Sequence, residues 1–297
     1  MLNRTVQIQS VLQNNDKSVL KRALDSIYNA VSVNKRSDSA VGRVTVCYGD
    51  ASSDRLFAPD EISELKMLYE GGFDLNYTFF GDNTGFSKGH NIIADSCKSD
   101  YMIIMDPEAV VCPKVLEKLS RPLLFDTDNT VGMTEARQTP AEHPKQYDRK
   151  TLETGWATAV CTMLRTSDFS ALNGFDSESF FSCGSDVDLS WRMRLLGKKI
   201  LYIPDCPVFR PKNSATLNSD EYYYALSALL MAYKWCADSK LEQLIMGYRS
   251  SDDAAVLKAL GTFERLSADK KLPEKIDKEH TVSDFSGEYY TGCRYAL

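Results

Sequence analysis

The sequence predicts an α/β fold with a mostly parallel sheet flanked by helices, and three observations carry that expectation. Strand-like and helix-like stretches alternate from residue 6 to residue 105, which builds parallel strands joined by right-handed crossovers. Tyr101-Met102-Ile103-Ile104-Met105 is apolar throughout, as a strand buried on both faces must be. Polar clusters follow each strand, at the carboxyl ends where such sheets bind ligands.

Taken in order, residues 6–12 show a two-residue apolar period and stop at Gln13-Asn14-Asn15-Asp16. Residues 17–33 place Val19, Leu20, Ala23, Leu24, Ile27 and Val31 at helical spacing. A second strand, residues 43–48, is stopped by Gly49-Asp50-Ala51-Ser52-Ser53-Asp54, and a helix is expected over 63–70. A third strand near 75–80 meets the loop 81–88, then a helix near 89–97, and the fourth strand ends at Asp106-Pro107-Glu108. Residues 134–154 are polar and loop-like, whereas 157–164 and 199–203 predict further strands around a helix over 189–196. Beyond Arg210 the spacing predicts helices over 222–237, 240–249 and 252–266, then a charged, mobile tail from Ser267. The chain therefore divides into a domain over 1–212 and a C-terminal helical extension and tail over 213–297.

Composition narrows the function classes. With 297 residues and 43% apolar content, the chain can bury a sizeable core. A formal charge of -6 argues against general nucleic-acid binding. Eight cysteines without a C-x-x-C pair suit a reducing cytoplasm, and residues 1–10 carry neither a signal peptide nor a lipidation pattern. No run approaches the roughly 18 apolar residues that span a bilayer, so contact with a membrane would be peripheral.

Two acidic clusters carry the candidate chemistry. Asp186 and Asp188 follow a Gly-Ser turn at an expected helix start, where free backbone N–H groups and the helix dipole keep carboxylates ionised and oriented. Such a group can take a proton from an attacking hydroxyl, or it can serve only as a helix cap. Asp106 and Glu108 flank a proline after a buried strand, so both can converge on one Mn2+ or Mg2+ ion. A cation there would neutralise charge developing on a diphosphate leaving group, while turn chemistry alone is the other explanation.

Four segments in order resemble the family-two nucleotide-sugar glycosyltransferases of the GT-A fold, over about residues 6–210. They are Val46-Cys47-Tyr48-Gly49-Asp50-Ala51-Ser52-Ser53-Asp54, Asn83-Thr84-Gly85-Phe86-Ser87-Lys88-Gly89-His90-Asn91, Met105-Asp106-Pro107-Glu108, and Gly174-Phe175-Asp176 through Asp186-Val187-Asp188-Leu189-Ser190-Trp191-Arg192. The resemblance implies an inverting transfer from a UDP- or dTDP-sugar to a hydroxyl of a glycan or lipid-linked acceptor, as in cell-surface polysaccharide synthesis. It places Asp186 as the base, and Asp106 and Glu108 at the metal and diphosphate. Asn14, Asp50 and Asn83 fall at the nucleotide-sugar, with a turn cap as the other role for Asp50. Lys88 falls near the diphosphate or in solvent. His143, Asp188, Arg192 and Arg210 are implied as acceptor or phosphate contacts, with orienting the loop or helix start as the other role of Asp188, while Arg192 and Trp191 either line the cleft or brace it, bracing being favoured for Trp191.

Three positions depart from the family pattern. Ser185 stands where an acid commonly precedes the base, Gly49 where an acid precedes Asp50, and Arg210 where many relatives carry a His beside the metal. Arginine cannot ligate a cation but can grip phosphate as a fixed charge. These departures keep open a second reading, a binding module on the same fold with decayed chemistry. A nucleotidyltransferase would want a Gly-rich basic phosphate loop, which Gln13-Asn14-Asn15-Asp16 is not. The aromatic segment 222–235 predicts core packing or a homo-oligomer contact, with membrane-surface docking as the alternative.

Overall fold

The computed structural model describes residues 3–37, 40–142, 146–211, 221–285 and 294–295. Its first half is β1 (Arg4–Leu12), α1 (Lys17–Lys35), β2 (Val41–Asp50), α2 (Pro59–Leu68), β3 (Asp74–Phe79), α3 (Gly85–Asp95) and β4 (Tyr101–Met105). Then follow β5 (Val110–Val111), α4 (Val115–Leu124), β6 (Val131–Thr139), β7 (Ala141–Glu142), β8 (Glu153–Thr154), β9 (Cys161–Arg165) and α5 (Thr166–Ala171). The chain continues through α6 (Ser185–Leu195), β10 (Lys199–Phe209), α7 (Glu221–Lys234), α8 (Asp238–Arg249), α9 (Ala254–Ala268) and β11 (Arg294–Tyr295).

The main sheet runs β3-β2-β1-β4-β9-β6-β10-β5, with β8 paired to β10. Pairings β1/β2, β1/β4, β2/β3 and β6/β10 are parallel, while β9 runs antiparallel between β4 and β6. Because β1 lies between β2 and β4, the crossover direction reverses at its edge, and the crevice beyond its carboxyl end is where this topology binds ligands.

The apolar run of β4 is buried on both faces, as expected. Ile103 and Met105 join one core with α1 and α4, and Met102 and Ile104 join a second with Phe169, Phe175, Leu189 and Met193. Helix α1 presents Leu20, Ala23, Leu24, Ile27, Ala30 and Val31 to the first core, and Asp16 caps it by accepting from Ser18 N at 2.7 Å. Helix α2 begins four residues earlier than its apolar spacing suggests. Pro59 suits a first turn, and Glu61 reaches back to Ala58 N at 2.8 Å.

Two expectations are corrected. The first six residues of the stretch expected as a polar loop belong to strand β6, whose Thr134, Glu135 and Gln138 are fully buried. Each has an internal partner, such as Leu119 O for Thr134 Oγ1 at 2.8 Å and Thr158 Oγ1 for Gln138 Nε2 at 2.7 Å, so burial does not require an apolar pattern. The expected strand over 157–164 is regular only from Cys161, and 157–160 is an irregular approach that turns at 159–160.

The tail from Ser267 is also docked, up to residue 285. A third core unites Trp156, Phe180, Trp191, Leu229, Met231, Trp235, Leu260 and Phe263, and Leu272, Ile276, Val282 and Phe285 pack against it. Backbone bonds fasten this stretch: Ile276 N donates to Lys234 O at 2.8 Å, and Arg194 Nη1 to Val282 O at 2.5 Å. The aromatic segment expected as core or contact is therefore largely core, with Trp235 fully buried. No helix among the described residues is long and apolar enough to cross a membrane.

Asp277 organises the end of this stretch by accepting from Thr281 N and Oγ1, Val282 N and Ser283 N at 2.6–3.1 Å. Burial raises its carboxyl, but these donors outweigh it and hold the group well below the usual carboxylate range. A depressed folded value stabilises above the unfolded one and is lost as pH falls through the folded one. Amide exchange over 267–285 should therefore accelerate below the ordinary Asp value in the wild type. In Asp277→Asn it should already be fast at neutral pH, whereas unchanged protection would mean that Phe285 and its neighbours alone hold the tail.

Candidate active site

Three strand ends meet at the crevice. At the end of β1, Asn15 is buried and its Nδ2 donates to Glu108 Oε1 at 2.7 Å, tying the first turn to the Asp-Pro-Glu segment. Asn14 beside it is exposed, with φ of 53°, and its N–H donates to Ser52 Oγ at 2.8 Å. Asp106 Oδ1 accepts from Glu108 N at 2.9 Å, and Oδ2 faces Arg210 Nε at 2.8 Å with both side chains nearly buried. Glu108 is buried as well.

The turn after β2 closes on itself. Asp50 is fully buried, and its oxygens accept from Ser52 N at 3.0 Å, Leu56 N at 2.8 Å and the Tyr77 hydroxyl. Of the two roles expected for Asp50, the turn cap is the one its geometry describes, and a nucleoside would have to displace these donors. The acid missing at Gly49 has a steric reason: a Cβ there would overlap the Phe80 ring and lie 2.9 Å from Ile93 Cδ1.

On the opposite side, Gly184 adopts φ of 78° and opens α6, so the helix cap is Gly184 and Asp186 lies inside the first turn. Asp186 is half-buried, and its Oδ1 accepts from Val187 N at 2.9 Å and its Oδ2 from Ala159 N at 3.3 Å. The next residue, Val160, accepts from Asp106 N at 3.0 Å. Two consecutive turn residues thus connect the acid of α6 to the acid after β4. Ser190 Oγ latches the same segment by accepting from Ala157 N at 3.0 Å and donating to Asp186 O at 2.7 Å. Ser185, in place of the usual acid, is buried and donates to Ser182 O at 3.0 Å.

Beside this segment lies a buried polar chain that sequence reasoning missed because β6 reads as loop. Glu135 Oε1 accepts from Thr158 N at 3.0 Å and Thr158 Oγ1 at 2.9 Å, and Thr158 Oγ1 accepts from Gln138 Nε2 at 2.7 Å. Glu142 Oε1 accepts from the Tyr202 hydroxyl at 2.7 Å, which together with burial pushes the phenol far above its ordinary value.

The loop that carries Asp176 is clamped from two directions. Asn91 both donates to Phe175 O at 2.8 Å and accepts from Phe175 N at 2.9 Å. Gly174, at φ of 70°, allows this approach, since a Cβ there would overlap Asn91 Oδ1. Arg192 binds Leu172 O at 2.8 Å, Gly174 O at 2.9 Å and Asp188 Oδ2 at 2.7 Å. Its guanidinium is committed to the loop, so of the two roles expected for Arg192 the brace is the one its bonds describe. Asp188 is fully buried among Arg192, Trp235 Nε1 at 3.0 Å and Lys234 Nζ at 2.7 Å, and Lys234 also meets Asp176 Oδ2 at 2.7 Å. Trp191 is a brace as expected, edge-on to Trp235 and Phe285.

Asn83 and Lys88 are exposed; Asn83 Oδ1 caps the Gly85 N–H at 3.1 Å, which starts α3. The structure therefore brings Asp106, Glu108, Arg210 and Asp186 around one segment and leaves Lys88 at the periphery. His143 lies outside the described residues. The carboxylate pair does not fit a divalent cation: Asp106 faces Arg210, Glu108 faces Asn15, and no three His, Cys, Asp or Glu side chains converge among the described residues.

No family model and no curated protein sequence matches the chain. Its structure is similar to solved structures that include three of known name. One is mannosyltransferase PcManGT from Pyrobaculum calidifontis in complex with GDP-Man and Mn2+, with a TM-score of 0.56 and 14% identity over 90% of this chain and 81% of that one. GalNAc-T7 with UDP, GalNAc and Mn2+ gives 0.60 and 14% over 92% of this chain, which spans 60% of its length. TarS of S. aureus gives 0.53 and 12% over 88% of this chain, which spans 43% of its length. The chain thus has the GT-A fold, the architecture of nucleotide-sugar glycosyltransferases.

The Lys234 contacts make a stability prediction. Burial raises Asp176, yet the Lys234 charge and the Ser179 bonds outweigh it and hold the carboxyl below its ordinary value. Replacing Lys234 by Met leaves buried negative charge undercompensated and should cost about 3–5 kcal/mol in urea denaturation. A loss below about 1 kcal/mol would reduce the contact to an ordinary surface pair.

Proposed function

We propose that the protein is an inverting glycosyltransferase that moves a sugar from a UDP- or dTDP-sugar to a hydroxyl of a glycan or lipid-linked acceptor, in cell-surface polysaccharide synthesis. The carrying observation is the contrast between the two acids of α6. Asp188 is enclosed by Arg192, Lys234 and Trp235, whereas Asp186 is only half-buried and sits one residue along a shared segment from the backbone partner of Asp106. A half-open carboxylate in the first turn of a helix is the group that can meet an incoming hydroxyl.

In this reading Asp186 takes the acceptor O–H proton as that oxygen attacks the anomeric carbon. The bond from that carbon to the diphosphate breaks, the nucleoside diphosphate leaves with the electron pair, and configuration inverts. The crevice beyond β1 holds the nucleotide, with Asn14 and Asn83 at its rim. Residues 1–212 form the catalytic unit and 213–297 the extension that braces it. A cytoplasmic site, at the inner membrane face for a lipid-linked acceptor, accords with this role. PcManGT and GalNAc-T7 carry Mn2+ in their complexes, but the acid pair of this chain supports no step through a cation.

The enclosed Asp50 and the non-acidic Ser185 favour a second reading, a donor-binding module without turnover. A thermal-shift screen of UDP-, dTDP- and GDP-sugars followed by a transfer assay separates the two. The transferase reading expects at least one donor to raise the melting temperature. It also expects Asp186→Asn to lower turnover roughly 10²–10⁴-fold while keeping that shift. Retained turnover would remove Asp186 as base, a shift without turnover would favour the module, and no shift with any donor would sink both.

A further inference from the structure

We propose that Cys112 and Cys206 form an oxidisable dithiol, in which a hydroperoxide oxidises Cys112 and Cys206 then closes a disulfide that joins the end of β5 to β10. The proposal stands on the geometry of this pair and does not depend on the transferase reading. The two residues come from distant parts of the chain, yet their Sγ atoms lie 3.8 Å apart. The antiparallel pairing of β10 with β5, in the register Val208↔Val111 and Phe209↔Val110, brings them together. Sulfur atoms bonded in a disulfide lie about 2.05 Å apart, so the pair has roughly 1.8 Å to close. Cys112 is the side that can move. It is half-buried in the irregular link between β5 and α4, whereas Cys206 is fully buried within β10.

The surroundings assign the two roles. Cys112 lies just ahead of α4, and Val115 N donates to its carbonyl at 3.1 Å. Lys118 of the same helix is held nearby by Asp205 Oδ2 at 2.7 Å. The S–H of Cys206, the N–H of Lys114 and the Lys118 charge together outweigh burial and hold the Cys112 thiol below its ordinary value. Cys206 is held far above its own by giving its S–H to Cys112 and by burial. Cys112 is therefore the attacking thiolate and Cys206 the resolving thiol. In the first step the Cys112 sulfur bonds to one peroxide oxygen, the O–O bond breaks, and the other oxygen leaves with the electron pair as hydroxide and takes a proton from water. In the second, Cys206 Sγ bonds to Cys112 Sγ, the S–O bond of the sulfenic acid breaks, and the Cys206 proton leaves with that oxygen as water. Two electrons pass from the sulfurs to the peroxide, and a thiol reductant reverses the change. Cys161 also lies near the pair, but burial raises its thiol far above the ordinary value and keeps it unreactive. The new bond would staple the segments that carry Glu108 and Arg210, each four residues away along the chain.

The test exposes the reduced full chain to a single equivalent of hydrogen peroxide, alkylates the remaining thiols and maps linked peptides by mass spectrometry. Most molecules should carry a link between Cys112 and Cys206 that dithiothreitol removes, with Cys97, Cys183 and Cys236 still alkylated as free thiols. In Cys206→Ser the resolving sulfur is gone, so Cys112 should accumulate as a sulfenic acid that dimedone traps. In Cys112→Ser the link should be lost and Cys206 should stay reduced. Melting temperatures before oxidation report whether the variants fold, and if neither does, the wild-type map alone decides. A wild-type Cys112 that stays a thiol or stops at the sulfenic acid overturns the proposal. So does a link from Cys206 to Cys161, or a scatter of links through Cys97, Cys183 and Cys236.

Discussion

The Asp188 carboxylate sits at a position closed to water, and the arrangement around α6 follows from how it is met. Arg192 lies one turn along the same helix, Lys234 comes from the last turn of α7, and Trp235 follows it. An isolated carboxylate in such a place would be strongly disfavoured, so the partners must be present together. Each then does a second job. Arg192 holds the turn at Leu172 and Gly174, and Lys234 holds Asp176. The loop between Gly174 and Gly184, and with it the start of α6, is positioned through one buried anion. The C-terminal helices are consequently part of the site's support.

A second constraint acts from the sheet side. The segment 157–160 is pinned to α6 through Ser190 and Asp186, to β6 through Glu135, and to the fourth strand end through Asp106. Every one of those bonds involves a backbone group of an irregular stretch that would otherwise be buried without partners. The polar side chains around it are therefore a structural requirement. That coupling explains why β6 carries Glu and Gln at full burial.

Much of the fold was legible because its signals are local. The period of residues 6–12, the stripe of α1, the apolar run of β4 and the polar strand ends each reflect burial along a single element. The acidic start of α6 and the Asp-Pro-Glu turn were legible for the same reason. Strand β6 was not, since its buried polar residues bond to Leu119 O and Thr158, which come from other elements. Lys234 gave no local sign either: a lysine at a helix end normally reads as a solvated charge favouring the dipole. The docked stretch up to residue 285 looked mobile because its charges hide the spaced Leu272, Ile276, Val282 and Phe285.

By itself, the sequence determined the alternation of strands and helices, the sites of the strand ends, and which side chains could act as acid, base or phosphate grip. Those follow from backbone geometry and the placement of apolar and charged groups within a few residues. Only the tertiary structure decided which of those groups meet. It enclosed Asp188 and left Asp186 half-open, closed Asp50 into its own turn, and set Arg210 against Asp106. The reason is physical: a charge's role depends on the partners and water around it, and those are brought by segments up to a hundred residues away.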